Sequence, residues 1–403
     1  MDCPLTGRKL AALPGPSVRI ETITDPRELP LAWLDLVPAD HCLLRPEWME
    51  AARASLPEGG LTRCVLAWED DHLIGAGFFE GIPLKVGQLG ALENAASWRM
   101  RTALKLLAAA HCGSPYVVVA GDIIRSDTPG THFSPCVSQP AGLFHAMAEA
   151  ARIDMGVSTC MVTCSARSLG PHADALPTFG YHRIDKAEPP MRVELDPSWT
   201  TFDDYLGAMR PKYRQRARSA RKKAKKVSRT RLSPVEIEAH IDAFDALLSP
   251  IIEKAPVTLS SPTGATVVNL KRTLGDACRV HAYHYNGQLV AFAVSLHTSE
   301  SVEGLLVGFN PELNRSLKLY QNILYDFIEE ALAAGVTRTC LGRTALEIKS
   351  AVGATPTEVP VYVRHPSFLM HSMLGWAAGA LPTPTWTPRN PFREQARIHA
   401  AAR

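Results

Sequence analysis

Residues 279–309 read RVHAYHYNGQLVAFAVSLHTSESVEGLLVGF. Two runs rich in β-branched and aromatic side chains flank Asn286-Gly287. That dipeptide suits a two-residue hairpin turn, whose central positions need positive φ. The spacing predicts an antiparallel hairpin from 279–285 and 289–297, with 301–309 as a further strand. Working outward, residues 317–334 place Leu319, Ile323, Phe327, Ile328 and Ala331 on one face of an amphipathic helix, and Gly335 is its stop. A strand at 337–342, a short helix at 345–352 and a closing strand at 359–364 complete the second half.

The first half has the same grammar. A strand at 18–23 (VRIETI) precedes helical patterns over 30–37 and 46–55. A hairpin follows from 63–69 (RCVLAWE), the turn Asp70-Asp71-His72, and 73–80 (LIGAGFFE). Residues 98–111 look helical. The all-apolar YVVVA at 116–120 fits a buried strand. A helix at 141–155, a strand at 158–165, a short helix near 172–179, Gly180-Tyr181 and a last strand at 191–195 close the half. LIGAGFF lies beside LVAFAVS after each turn, and the helices ending at Gly156 and Gly335 each lead into a strand. This is a two-fold repeat of long period.

At 403 residues the chain is too long for one ordinary core, so two domains are expected. The fold class is α/β (α+β), with each domain a mixed, mostly antiparallel sheet flanked by helices. The expected division is a flexible leader at 1–17, one domain at 18–200, a basic helical connector at 201–232, a second domain at 233–365, and a C-terminal helix and tail at 366–403. Nine cysteines, an odd number without repeated spacing, show no zinc pattern. They point to a reducing cytoplasm. The N-terminus lacks the apolar core of a signal peptide. No segment reaches the ~20 apolar residues needed to cross a bilayer. The nearest, residues 366–381, reads either as a terminal helix docked on the protein or as a peripheral inner-membrane contact beside Trp376.

Charge is unevenly spread. Residues 210–231 (RPKYRQRARSARKKAKKVSRTR) hold twelve cations and no acid; without them the chain has 31 Lys+Arg against 40 Asp+Glu. Pro211 can open a helix. Tyr213, Ala217, Ala220 and Ala224 then form one narrow stripe, with Arg214, Arg218 and Lys222 among the cations around it. A solvated helix normally mixes charge signs, so this run reads as an anion-binding surface for tRNA, CoA or nucleotide phosphates, or for lipid head groups. No helix-turn-helix, zinc or RNA-binding signature accompanies it, so no sequence-specific DNA reading is expected.

Each half resembles a GNAT-type acyltransferase unit. The resemblance rests on the order of hairpin, long helix, strand, short helix and strand, and on Leu-x-x-x-Gly-Tyr ending at Tyr181. The better match runs from Gly308-Phe309-Asn310-Pro311 to Gly342-Arg343 and Lys349-x-x-x-Gly353. Two such units with a basic helix between them resemble the Fem-like branch and the acetyltransferases grouped with it. The [RQ]-x-x-G-x-[GA] turn that grips the diphosphate of CoA in GNAT units is absent from both halves. Residues 310–317 keep Arg315 and Ser316 near a helix start but bring no glycine.

The resemblance implies an N-acyltransferase moving an acyl or aminoacyl group from acyl-CoA or aminoacyl-tRNA to an amine, as on a peptidoglycan-type precursor. No Ser-His-Asp pattern is visible, so direct transfer within a ternary complex is the simpler expectation. The chemistry needs a deprotonated amine, donors for the developing oxyanion and a stabilised leaving group. Glu303, inside an apolar strand, is a candidate base or a residue of the strand's solvent face. Tyr320 and Tyr325 on the long helix could each supply a hydroxyl, and of the two Tyr325 reads more as packing. By the resemblance, Lys349 faces the cleft, and with Arg343 it would bind anionic substrate groups. No metal is expected. His281 and His284 fall on opposite faces of one strand, and with His297 they read as structural. The alternative function is a catalytically silent tandem protein that binds nucleic acid or membrane through its basic helix.

Overall fold

The computed structural model describes residues 18–83, 116–125, 128–157, 160–165, 169–185, 188–253, 262–380 and 386–393. The expected leader at 1–17, the helix at 98–111 and the tail beyond 393 lie outside them. The chain divides into two units. One comprises Met1–Ala187, Ala255–Ser261 and Val359–Thr383, and the other Glu188–Lys254, Pro262–Glu358 and Pro384–Arg403.

The first unit is built on β1 (Val18–Ile23), β2 (Leu61–Glu69), β3 (His72–Pro83), β4 (Tyr116–Ala120), β6 (Cys160–Ser165), β7 (His182–Ile184) and β15 (Val361–Arg364). Their order is β1-β2-β3-β4-β6-β15-β7, with the short β5 (Thr131–Phe133) paired to β3. Successive side chains alternate faces. Val65, Ala67 and Phe79 pack with Phe144, Met147 and Ala148 of α3 (Pro140–Asp154). Cys64, Leu66 and Phe78 pack on the other face with Trp33 of α1 (Leu31–Leu36) and Met49 of α2 (Pro46–Ala54). Coverage of both faces explains why LIGAGFF is apolar throughout.

The second unit has the order β14-β8-β13-β12-β11-β10-β9. Its strands are β8 (Met191–Glu194), β9 (Ser228–Arg231), β10 (Cys278–Tyr285), β11 (Gln288–His297), β12 (Ser301–Phe309), β13 (Arg338–Cys340) and β14 (Thr355–Pro356). The hairpin turn forms as read, with φ of 50° at Asn286 and 77° at Gly287. One face carries α10 (Leu319–Ala334), whose Ile323, Phe327, Ile328 and Ala331 are buried against Ala291, Ala293 and Val302. Gly304 lets this helix approach: a Cβ there would sit 2.5 Å from the Phe327 ring. Phe244 of α7 (Ile241–Ile252) stacks on Phe292 at 4.1 Å between centroids. The remaining helices are α4 (Phe202–Ala208), α5 (Pro211–Ala224), α6 (Pro234–Glu238), α8 (Gly264–Leu274), α9 (Pro311–Leu317) and α11 (Leu346–Ala351). Among the described residues, α6–α9 are helices that the sequence reading did not name.

Three expectations change. The strand expected to close the first half at 191–195 is β8, which pairs β13 and β14 of the second sheet. The strand expected to close the second half at 359–364 is β15, which pairs β6 and β7 of the first. The boundaries expected at 200 and 365 therefore become crossings at 187 and 359. Hydrophobic pattern reports that a strand is half-buried and says nothing about which sheet accepts it. The third change is in the basic run, which is helical only to Ala224; Ser228–Arg231 forms an edge strand on β10.

The terminal helix forms as α12 (Phe368–Ala380) in the first unit. His371 stacks on His182 at 4.0 Å, and Phe368, Leu369 and Trp376 stay exposed. Among the described residues no helix is long and apolar enough to cross a membrane.

Candidate active site

The site grows from a parting of two strands in the second unit. β12 and β13 run parallel for three residue pairs, from Ser301↔Arg338 to Glu303↔Cys340, where the pairing ends. β12 continues to Phe309 paired only with β11. After β13 the backbone N–H of Leu341 donates to Met191 O, and Gly342 takes a φ of 69°. The first unit does not share this parting: β4 pairs with β6 along all five of its residues.

Each of the two strands leads on in the chain to a helix start. Lys318, with a φ of 57°, ends α9 and begins α10. The Asn314 carboxamide accepts the Tyr320 N–H at 3.0 Å, so that amide of the first turn is already satisfied. α11 begins after Thr344 and Ala345, both with positive φ.

The basic helix α5 forms as its pattern dictates. Pro211 opens it, and Ala217 and Ala220 are buried toward α10, where Asn322 Nδ2 donates to Ala220 O at 3.1 Å. Arg221, Arg229 and Arg231 are committed to acids: Arg221 to Asp326 and Glu329, Arg229 to Glu330, and Arg231 to Asp276. The other nine cations have no carboxylate partner among the described residues, and all but Arg214 are exposed.

Between α5, the start of α10 and the start of α11 lies a cavity of about 950 Å³. Its walls include Tyr213 and Arg216 of α5, Lys318, Gln321 and Tyr325 of the α10 region, Glu347, and Glu188. Trp386 and Arg389, which come from the region expected to be tail, also line it. Tyr325 is buried, and burial pushes its phenol above the ordinary range; Gln321 Nε2 donates to its oxygen at 3.3 Å. The Arg221 guanidinium lies 5.5 Å from the Tyr325 ring centroid. Arg389 pairs with Glu347.

The residues expected to carry the site stand on the same elements, and the cavity lining is drawn from their neighbours. Glu303 is half-buried at the last β12–β13 pair, with its Oε1 3.4 Å from the Ser301 hydroxyl. The Tyr320 ring packs 5.5 Å from Phe309, and burial raises its phenol pKa. Arg315 and Ser316 are exposed on α9, where Ser316 Oγ donates to Leu313 O. Arg214 is half-buried, and Arg218 and Lys222 are exposed, on α5. Arg343 Nη1 donates to Glu188 O at 2.6 Å.

Lys349 is buried beneath the β13–α11 corner, where its Nζ donates to Gly342 O at 3.1 Å and to Arg343 O. Burial lowers its pKa to about 7, against the opposing charge of Glu188. Expected in the cleft, this side chain instead braces the backbone beside it. His281 and His297 flank buried Glu330, which also accepts from Ser295 Oγ at 2.7 Å. Among the described residues no cluster has the make-up of a metal site.

Sequence reasoning missed Glu347, Trp386 and Arg389, and it preferred Tyr320 to Tyr325 as the hydroxyl donor. Tyr325 lies one turn past Gln321 on the helix face turned to α5, a face that only the packing reveals. A tryptophan and an arginine among the prolines of 386–391 were the available signal for the tail.

Residues 211–350 match the family described as Acetyltransferase (GNAT) domain. A solved tandem GNAT protein from the clavulanic acid biosynthesis pathway is 13% identical; the alignment covers 87% of this chain and 99% of that one, with a TM-score of 0.51. FemX is 9% identical, with 82% and 93% covered and a TM-score of 0.51. These likenesses show the fold, two GNAT-like units in tandem. No curated protein matches the chain.

Proposed function

We propose, from the tandem GNAT fold and the acetyltransferase domain over residues 211–350, that this GNAT-type acyltransferase works in the second unit's cavity. It moves an acyl or aminoacyl group from a phosphate-bearing carrier to an amine. The observation that carries the reading is a cavity walled by the basic helix and by the starts of the two helices that follow the parted strands β12 and β13 in the chain. Unpaired strand edge offers backbone groups to an acyl chain, and α5 offers cations to its carrier.

In the transfer, the acceptor nitrogen attacks the acyl carbonyl, a C–N bond forms, and the carrier's ester or thioester bond breaks. Glu347 or Glu188 takes the proton released by the amine. The Tyr325 phenol, kept protonated by burial, gives one to the departing carrier oxygen or sulfur. Arg216 and Lys318 hold carrier phosphate, and Lys349 keeps the corner over Gly342 and Arg343 in shape.

Two observations favour aminoacyl-tRNA as the donor. The Tyr320 amide is satisfied by Asn314, and the nine cations without a carboxylate partner among the described residues suit a polyanion. Acyl-CoA is the second reading, favoured by the acetyltransferase match. An amine on an anionic cell-envelope precursor suits a cavity with both charge signs. The exposed Phe368, Leu369 and Trp376 would meet a membrane surface bearing such a precursor.

The test is thermal stabilisation and transfer by the full chain with charged tRNA and with acetyl-CoA, each alone. Stabilisation by tRNA and aminoacyl transfer to an amine support the first donor, and acetyl transfer supports the second. Loss of the hydroxyl in Tyr325→Phe should lower kcat by roughly a hundredfold, within the range of general acid catalysis, with little change in KM. Transfer from neither donor, or an unchanged kcat in Tyr325→Phe, refutes the site.

A further inference from the structure

Residues 386–393, expected to be tail, form a strap in the second unit. Phe392 anchors it: the ring is buried, with centroid distances of 5.3 Å to Trp199 and 5.7 Å to Tyr205. Gly353, with a φ of 99°, makes room for that ring, since a Cβ there would sit 2.4 Å from it. The backbone is tied at two places. Pro391 O accepts from the Arg210 N–H at the start of α5 at 2.8 Å, and the Arg389 N–H donates to Ser350 Oγ of α11 at 3.0 Å. The strap thereby joins two walls of the large cavity and presents Trp386 and Arg389 to it.

Arg389 meets Glu347 there. Its Nε donates to Glu347 Oε1 at 3.0 Å, and its Nη2 donates to the same oxygen. Among the described residues, Glu347 Oε2 and Arg389 Nη1 make no hydrogen bond. Both side chains are open to solvent, at 53% for Glu347 and 38% for Arg389, so a ligand can reach them. A pair so exposed adds little to stability, and folding alone does not account for its place in the cavity.

Electrostatics narrows the acceptor. An amine arrives in water as an ammonium, and the carboxylate it meets at Glu347 already carries the Arg389 guanidinium. One negative charge would then lie between two positive ones, which repel. Arg216 and Lys318 are the other lining cations and are taken by the carrier's phosphate, which leaves Arg389 as the cation facing the acceptor. An acceptor that brings its own anion restores neutrality: its ammonium at Glu347 and its carboxylate at Arg389 make two charges of each sign. The N–H fork of a guanidinium also matches the two oxygens of a carboxylate. Because Glu347 and Arg389 are in direct contact, the acceptor's two groups must lie close together, as they do in an α-amino acid.

We propose that Arg389 sets acceptor specificity, binding a carboxylate carried beside the amine that Glu347 deprotonates. The inference rests on the reading of this cavity as the transfer site. The ammonium yields one proton to solvent through Glu347. The second passes to Glu347 as the nitrogen bonds the acyl carbon and the carrier's ester or thioester bond breaks. The carboxylate stays unchanged on Arg389.

The test compares L-alanine with L-alaninamide, the same amine without the carboxylate, on the full chain with acetyl-CoA and with charged tRNA as donors. The parent should show a kcat/KM about tenfold higher for L-alanine, the worth of a hydrogen bond to a charged group. Arg389→Gln should lower the L-alanine value about tenfold, mainly through KM, and raise the L-alaninamide value, so that the preference vanishes. Arg389→Lys keeps the charge without the fork and should recover part of the preference. A strap that merely braced the site would cost both acceptors alike. Such an equal loss, or a parent that prefers L-alaninamide, overturns the proposal while transfer itself stands. If neither acceptor is acylated from either donor, the transfer reading fails, and calorimetric titration decides whether Arg389 holds a carboxylate. L-alanine should then bind the parent more tightly than L-alaninamide and lose about tenfold in Arg389→Gln. L-alanine that does not bind, or a Kd that Arg389→Gln does not move, overturns the proposal.

Discussion

Lys349 offers the most quantitative perturbation. Its Nζ is buried and donates to the carbonyl oxygens of Gly342 and Arg343, and its pKa falls from 10.5 to about 7. An unfolded chain keeps the ordinary lysine value, so between about pH 7 and 10.5 the unfolded state binds more protons than the folded one. Stability must then rise with pH across that window. Below it both states are protonated, and the cost of burying the ammonium is fully present. At about 1.4 kcal/mol per pH unit, the window of roughly 3.5 units is worth about 5 kcal/mol. Deprotonation does not break the local bonding, because a neutral amine retains two N–H groups for two carbonyls. Lys349→Met removes the titration and both bonds; Gly342 O keeps the Met191 N–H at 3.0 Å, so the cost of an unmade bond, about 1–3 kcal/mol, falls on one carbonyl, Arg343 O. The expected outcome is a crossing. Near pH 6 the variant exceeds the parent in stability, and near pH 10 it is weaker by about 1–3 kcal/mol. Urea midpoints of both chains at intervals from pH 6 to 10 measure the difference, which cancels other titrating groups. Parallel stability–pH curves would falsify the buried-amine reasoning.

Reversing two exposed cations, Arg218→Glu with Lys222→Glu, should weaken tRNA binding strongly and lower the slope of log K against log salt by about two. The Tm should hardly move, because both side chains are exposed and neither has an acidic partner among the described residues; an unchanged salt slope would place the carrier elsewhere. Gly304→Ala puts a Cβ 2.5 Å from the Phe327 ring, and overpacking of that kind costs about 1–3 kcal/mol. Chemical denaturation measures it, and a neutral result would mean that α10 moves away from β12 at little cost.

What was legible in the sequence was local. Asn286-Gly287, the apolar face of residues 319–331, and Gly335 each act through a few neighbouring residues, and each element formed close to its expected bounds. Pro211 and the alanines at 217 and 220 did the same for the basic helix. The illegible part was long-range. β8 and β15 carry a strand pattern, but the sheet each enters depends on backbone partners more than a hundred residues away. The site suffered similarly. Lys349 and Tyr325 were recognised as elements of a motif and a helix, yet a one-residue change of helical position turns a side chain by about 100°. Glu347 and Ile348 therefore line the cavity while Lys349 points beneath it.

The two halves, alike in pattern, differ where the chemistry would occur. In the first unit the connection after β4 folds back onto the sheet: Gly130 O accepts from Phe78 N–H, and Gly121 N–H donates to Phe78 O. The approach is so close that a Cβ on Gly130 would lie 2.2 Å from Gly121 N. Buried Glu80 accepts from Ile123 N–H at 2.8 Å, and burial beside Asp122 raises its pKa, so the connection is tied to the sheet by a carboxyl that favours its neutral form. In the second unit the connection after β12 instead continues as α9 into α10 and leaves the strand edge unpaired. A parallel ladder that runs its full length has no unpaired edge, whereas one that stops after three pairs does. The same repeat thus yields one unit whose ladder is closed and one whose ladder opens, and if the proposed site is right, activity should follow substitutions in the second unit alone.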